Sequence, residues 1–140
     1  MTIPLRPSSG REPGPESTTA YERMGGHDTF VRLVAAFYRG VAGDEPLRAL
    51  YPEEDLGPAE ERLRMFLEQY FGGPNTYSER RGHPRLRQRH APFAVTPTQR
   101  DRWLTHMMAA CDEVALTEPE NTELRSYLTY AANFMLNAQD

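Results

Sequence analysis

One histidine stands where it could do chemistry. In the segment HPRLRQRHAPF at 83–93, His90 closes a short basic stretch two residues before Pro92. Proline has no backbone N–H and disfavours helix in the residue before it, so Pro84 and Pro92 confine the stretch to about two helical turns, with His90 in the last. A neutral imidazole at such a place can ligate a metal ion. Arg80, Arg81, Arg85, Arg87 and Arg89 surround it in the chain, and guanidinium groups suit the carboxylates of an anionic cofactor. By residue type alone, a single histidine is more often structural and an arginine run is more often a solvated face.

The elements that must position these residues follow from apolar spacing. Residues 1–18 carry four prolines with Gly, Ser and Thr and almost no large apolar side chains, the composition of a disordered extension; the folded domain is expected over 19–140. A Gly25-Gly26 turn releases a helix over 28–42 with Phe30, Val34, Phe37, Tyr38 and Val41 on one face. A short helical turn over 45–50 follows, with Pro46 suited to its first positions. From Pro58 the residues Ala59, Leu63, Phe66, Leu67 and Tyr70 repeat the helical spacing, with Glu60, Glu61, Arg64 and Glu68 opposite, until Gly72-Gly73-Pro74 stops the helix. Thr96-Pro97-Thr98-Gln99 reads as a capping box before a helix with Trp103, Leu104, Met107, Met108 and Cys111 inward. Thr117-Glu118-Pro119-Glu120 repeats the device before a last helix facing inward with Leu124, Tyr127, Leu128, Ala131 and Met135 or Phe134. No strand is expected, and the fold class is all-α.

Composition excludes several kinds of function. A chain of 140 residues is one domain, large enough for a core without disulfides or structural metals. The single cysteine, Cys111, rules out an internal disulfide and a Cys-rich zinc site, and fits a reducing cytoplasm. No apolar run approaches a membrane span and no signal-peptide core is present, so a cytoplasmic protein is expected. The net charge of −4 argues against nonspecific nucleic-acid binding. All 16 basic residues are arginine, which removes lysine Schiff-base and P-loop chemistry.

Between the helix pairs lies an irregular stretch over 72–93. Structureless loops longer than about a dozen residues are uncommon in compact domains and are often functional. A bound cofactor would order this one and fill the space between the pairs.

The strings AFYRGVAGDEPLRALYPEEDL at 36–56, AEERLRMFLEQYFGGPNTYSERRGHPRLRQRHAPF at 59–93 and RDRWLTHM at 100–107 resemble the group II, or O-type, truncated haemoglobins of bacteria. The resemblance covers about residues 20–137 and leaves the N-terminal tail outside. It implies a truncated globin fold, a two-over-two α-helical sandwich around haem b (iron protoporphyrin IX).

Carried over position by position, the resemblance makes His90 the proximal ligand of a pentacoordinate haem iron through Nε2. Its Nδ1 is then expected to donate to a carbonyl one turn back, that of Leu86, which fixes the tautomer. His27, His83 and His106 match no ligand position and read as structural. Tyr38, Tyr51 and Trp103 align with the distal polar groups, whose O–H and N–H donors would hold a diatomic ligand. Ala59 falls where many globins place a distal histidine or glutamine, and with Phe37, Leu63 and Phe66 it would wall the haem pocket. Arg62, Tyr77 and Arg89 match positions that hold haem propionates in relatives.

The implied activity is binding of dioxygen and other diatomic ligands, nitric oxide or carbon monoxide among them. Three distal donors suit oxygen, nitric oxide or peroxide redox chemistry better than bulk transport, since a carrier must also release its load. Nitric oxide dioxygenase or peroxidase activity would draw on an external reductase, and a homodimer is compatible with the sequence. Two readings of other classes compete. One is a cofactor-free helical interaction module whose arginine loop binds an acidic partner; the other is a gas sensor acting through a partner.

Overall fold

The computed structural model describes residues 18–140, apart from the side chain of Arg87; the expected extension lies almost wholly outside them. Among the described residues there are eight helices and no strand. The four long ones are α2 (Gly26–Ala42), α4 (Gly57–Tyr70), α7 (Pro97–Val114) and α8 (Glu120–Phe134). The four short ones are α1 (Ala20–Arg23), α3 (Glu45–Arg48), α5 (Thr76–Arg81) and α6 (Leu86–His90). α2 packs on α4 and crosses α7, and α7 packs on α8, giving two helical pairs face to face. An apolar stripe explains each long helix, because a helix buries one face to offset its ordering entropy.

On α2 the expected face is buried, with Phe30, Val34, Phe37 and Val41 wholly so. The α2–α7 crossing is tight at Gly40, where a Cβ would sit 2.3 Å from His106 Nδ1. Only glycine admits that imidazole. On α4 the stripe Ala59, Phe66 and Leu67 is buried as expected, but Glu68 is buried with it. Its carboxylate accepts from Arg64 at 2.9 Å and meets His27 Nδ1 at 2.7 Å. A buried carboxylate needs such partners to offset its lost hydration, and the His27 contact ties the start of α2 to α4.

The stretch over 72–93 is not structureless. α5 is fastened to α4 by Gln69, whose amide donates to Ser78 Oγ at 2.7 Å and whose oxygen accepts from the Ser78 backbone N–H at 2.9 Å. Tyr77 is buried beneath it, edge-on to Phe66. Arg85, in the left-handed region at φ 46°, starts α6, and its N–H donates to His83 Nδ1 at 3.1 Å. Such contacts fall outside the helical repeat and leave no periodic trace. The same holds for α1, where Tyr21 N–H donates to Phe71 C=O at 2.8 Å. Gly73 permits that approach, since a Cβ there would stand 2.8 Å from the Tyr21 ring.

The capping expectations divide. Thr96 caps α7, its hydroxyl accepting from Gln99 N–H at 3.1 Å. The Gln99 side chain does not return to Thr96; it donates to Pro46 C=O at 2.9 Å and thereby fastens α3 to α7. At α8 the expected box does not form. Pro119 holds the cap position, and Glu118 instead accepts from the Thr122 hydroxyl.

Candidate functional site

Where α3 and the two helix pairs meet α5 and α6, the chain encloses a cavity of about 560 Å³. That lies within the range of small-molecule and cofactor sites. Its walls are mainly apolar: Leu47, Ala59, Leu63, Phe66, Phe93 and Leu128 are among the residues lining it. Polar groups enter at a few places, which is how a pocket fixes the orientation of a largely apolar guest.

His90 reaches the cavity from the last turn of α6 and is half-buried. Its Nδ1 lies 2.8 Å from Leu86 C=O. A carbonyl oxygen only accepts, so the proton sits on Nδ1 and leaves the Nε2 lone pair free for a metal. The other histidines are engaged elsewhere. His27 meets Glu68, His83 accepts from the backbone of Arg85, and His106 Nε2 lies 2.8 Å from Asp44 Oδ2.

Tyr38, Tyr51 and Trp103 also line the cavity. α2 carries Tyr38, the bend after α3 carries Tyr51, and α7 carries Trp103. The Tyr38 and Tyr51 rings stand 5.7 Å apart at 76°. Burial pushes the Tyr38 hydroxyl well above its ordinary pKa, and the neighbouring Tyr51 adds to that rise. The Tyr51 hydroxyl is also raised by burial, against the pull of hydrogen bonding from Tyr38 and Trp103. Both tyrosines are therefore neutral O–H donors at any physiological pH. Tyr38, Tyr51 and Trp103 thus bring two hydroxyls and an indole N–H together at one wall of the cavity.

Ala59, Leu63 and Phe66 line the cavity as expected, whereas Phe37 is not among the lining residues. Phe37 stands behind the wall, wholly buried, with its ring 4.9 Å from that of Tyr38 and 5.1 Å from that of Trp103. It packs against both of these rings. It stands behind by helical phase: Tyr38, the next residue, takes the direction into the cavity.

Arg62, Tyr77 and Arg89 all line the cavity. Arg62 is paired with Glu53 at 3.0 Å. Arg89 donates from Nε to Pro84 C=O at 2.7 Å and from Nη2 to Arg81 C=O at 3.0 Å. Arg81 and Arg89 flank the Tyr77 ring, each guanidinium carbon 5.9 Å from its centroid. Arg81, one of the five arginines around His90 in the chain, thus belongs to this rim although the resemblance did not place it at a propionate position. Two further polar groups were read only as packing or capping. The Tyr127 hydroxyl and the Gln99 side-chain oxygen are buried without a hydrogen-bond partner at residues lining the cavity. The one sign of this in the sequence is that a tyrosine on an inner stripe carries a polar tip that needs a partner.

These residues fit a haem. Among the described residues no three His, Cys, Asp or Glu side chains cluster to hold a metal ion, so a metal at His90 needs a group that brings its own equatorial ligands. The apolar walls match a flat macrocycle and the rim arginines match two carboxylates.

Comparison with known proteins gives concordant matches. The model of the bacterial-like globin family matches residues 19–137. The group 2 truncated haemoglobin YjbI of Bacillus subtilis is 37% identical over 89% of this chain and 92% of its own. A crystal structure of a thermostable haemoglobin from Thermobifida fusca superposes with a TM-score of 0.84 at 62% identity, covering 86% of this chain and 98% of the other. The group II truncated haemoglobin of Bacillus anthracis gives 0.84 at 34% identity, over 93% and 96% of the two chains.

Proposed function

The chain belongs to the bacterial-like globin family, as a truncated haemoglobin of group 2 that binds diatomic gases at haem b, and from that premise we propose how its own residues perform the task. His90 is the proximal ligand. The observation that carries this is the Nδ1 contact with Leu86 C=O, which fixes the tautomer and leaves Nε2 free for a metal at a residue lining the cavity. Bound haem supplies an iron centre that takes up dioxygen, nitric oxide or carbon monoxide and exchanges electrons.

Tyr38, Tyr51 and Trp103 would hold a diatomic ligand at that centre through their O–H and N–H groups. Donors held in a dry cavity are worth more than in water and need no reorganisation when the guest arrives. Ala59 adds no donor and leaves an opening, while Leu63 supplies an apolar wall. Arg89, Arg81 and Tyr77 meet the carboxylates at the rim, and Arg62 joins them by exchanging its bond to Glu53. A site with this many donors retains its ligand, which suits oxygen, nitric oxide or peroxide conversion better than bulk transport. The electrons for such conversion come from an external reductase.

The test is replacement of His90 by alanine. The expected outcome is loss of the ferrous and carbon monoxide spectra of a histidine-bound haem, restored by added imidazole. An unchanged spectrum in His90→Ala without imidazole sinks the assignment.

A further inference from the structure

Asn137 lies beyond the end of α8 and belongs to no helix, yet it makes four hydrogen bonds to the segment that follows His90. Its Nδ2 donates to His90 C=O at 3.2 Å and to Phe93 C=O at 2.9 Å. Its Oδ1 accepts from Val95 N–H at 2.8 Å, and its backbone N–H donates to Val95 C=O at 3.1 Å. One amide side chain therefore holds three backbone groups between His90 and Val95, with both of its polar ends used.

The need for such a clamp is visible in α6. It has five residues, too few to be stable alone, since a helix nucleus costs more than one or two of its bonds return. Pro92 removes a donor immediately after it, leaving the exit to Phe93 N–H, which donates to His90 C=O at 2.9 Å. Phe93 and Val95 themselves line the cavity. The backbone at His90 is thus held on one side by α6 and on the other only by what binds the 90–95 segment.

We propose that Asn137 is a positioning residue for His90, fixing the main chain from which the imidazole reaches the haem. This rests on the reading of His90 as the proximal ligand. Leu86 C=O sets the rotation of the ring, and Asn137 sets where the ring is anchored. Asn137 is exposed, so its removal opens no cavity and strands no buried polar group. A variant there keeps the core of the fold intact.

The experiment uses the haem-loaded full chain. The readouts are the ferrous iron–histidine stretching band in the resonance Raman spectrum and the rate of haem transfer to an excess of apomyoglobin. Asn137→Ala removes three of the four bonds; Asn137→Asp keeps the acceptor and sets a carboxylate against two carbonyls. The expected result is a shifted or broadened band in both variants, with haem transfer faster by tenfold or more and far-ultraviolet circular dichroism unchanged. A band and transfer rate equal to wild type in both variants overturn the proposal. A lowered melting temperature with an unmoved band also overturns it, because that is what a merely structural clamp would give. Should Asn137→Ala fail to take up haem, Asn137→Ser, which retains a small polar group, is judged by the same band. His90→Gly with imidazole in solution separates the two assignments: if His90 is not the ligand, that variant keeps the wild-type band before imidazole is added.

Discussion

Replacing Trp103 by phenylalanine keeps a ring beside Phe37 and deletes one N–H from the group gathered at Tyr51. A hydrogen bond to a charged or polarised acceptor is worth roughly 1.5–3 kcal/mol, so dioxygen dissociation from Trp103→Phe should be faster by about 10- to 150-fold. Tyr38→Phe alone should do less, because Tyr51 keeps its own proton, while the Tyr38→Phe/Tyr51→Phe double variant should match or exceed Trp103→Phe. Stopped-flow measurement of release decides this; rates within about twofold of wild type for both Trp103→Phe and the double variant would dismiss the polar cluster as a ligand-holding device. At this scale the sequence was informative where chemistry dictates geometry. The carbonyl four residues before His90 is that of Leu86 because a helix places it there. It was uninformative where rotamers decide. Nothing in the order of residues tells that Arg62 turns to Glu53, that Arg81 joins Arg89 against Tyr77, or that Phe37 stays behind Tyr38.

The short helix α3 shows how an element with little stability of its own comes to hold a functional side chain. Asp44 caps it, accepting from Leu47 N–H at 3.4 Å, and the same carboxylate accepts from His106 at 2.8 Å and Arg102 at 3.0 Å on α7. With Gln99 gripping Pro46 C=O, three positions along α7 fasten the element that leads to Tyr51. The bond from His106, followed by the cap at Leu47 and the charge of Arg102, holds the Asp44 carboxyl below its ordinary value. A carboxylate depressed on folding contributes stability that is fully present above its unfolded pKa of about 3.9 and is lost as pH falls through the lower folded value. The His106→Ala variant should therefore begin to lose helix at a higher pH than wild type in an acid titration followed by circular dichroism. An acid midpoint that does not rise would show that the clamp adds nothing to α3. Periodicity revealed α2, α4, α7 and α8 because each buries a continuous stripe. It passed over α1 and α5, which form only because Tyr21 finds Phe71 and Ser78 finds Gln69.

In the whole molecule the cofactor belongs to the core. The apolar residues around the 560 Å³ cavity lack packing partners on that side until a guest fills it. Without haem these walls lose contacts, and the least anchored of them is expected to loosen first. The two-over-two frame is legible in the sequence because α2, meeting α7 at Phe37 and Gly40, buries a continuous apolar stripe; the wall built by α5 and α6 is fastened instead by a few side-chain contacts, Ser78 to Gln69 and Asn137 to the 90–95 segment. Removing haem should therefore separate the molecule into two parts. Hydrogen exchange of the haem-free protein should show amide protection retained in α2 and α7 and lost over 76–95, and the melting temperature should fall in step with the loss of ligand linkage. If 76–95 stays as protected without haem as with it, the wall is ordered by the chain alone, and the cavity is then a preformed site whose shape owes nothing to its guest.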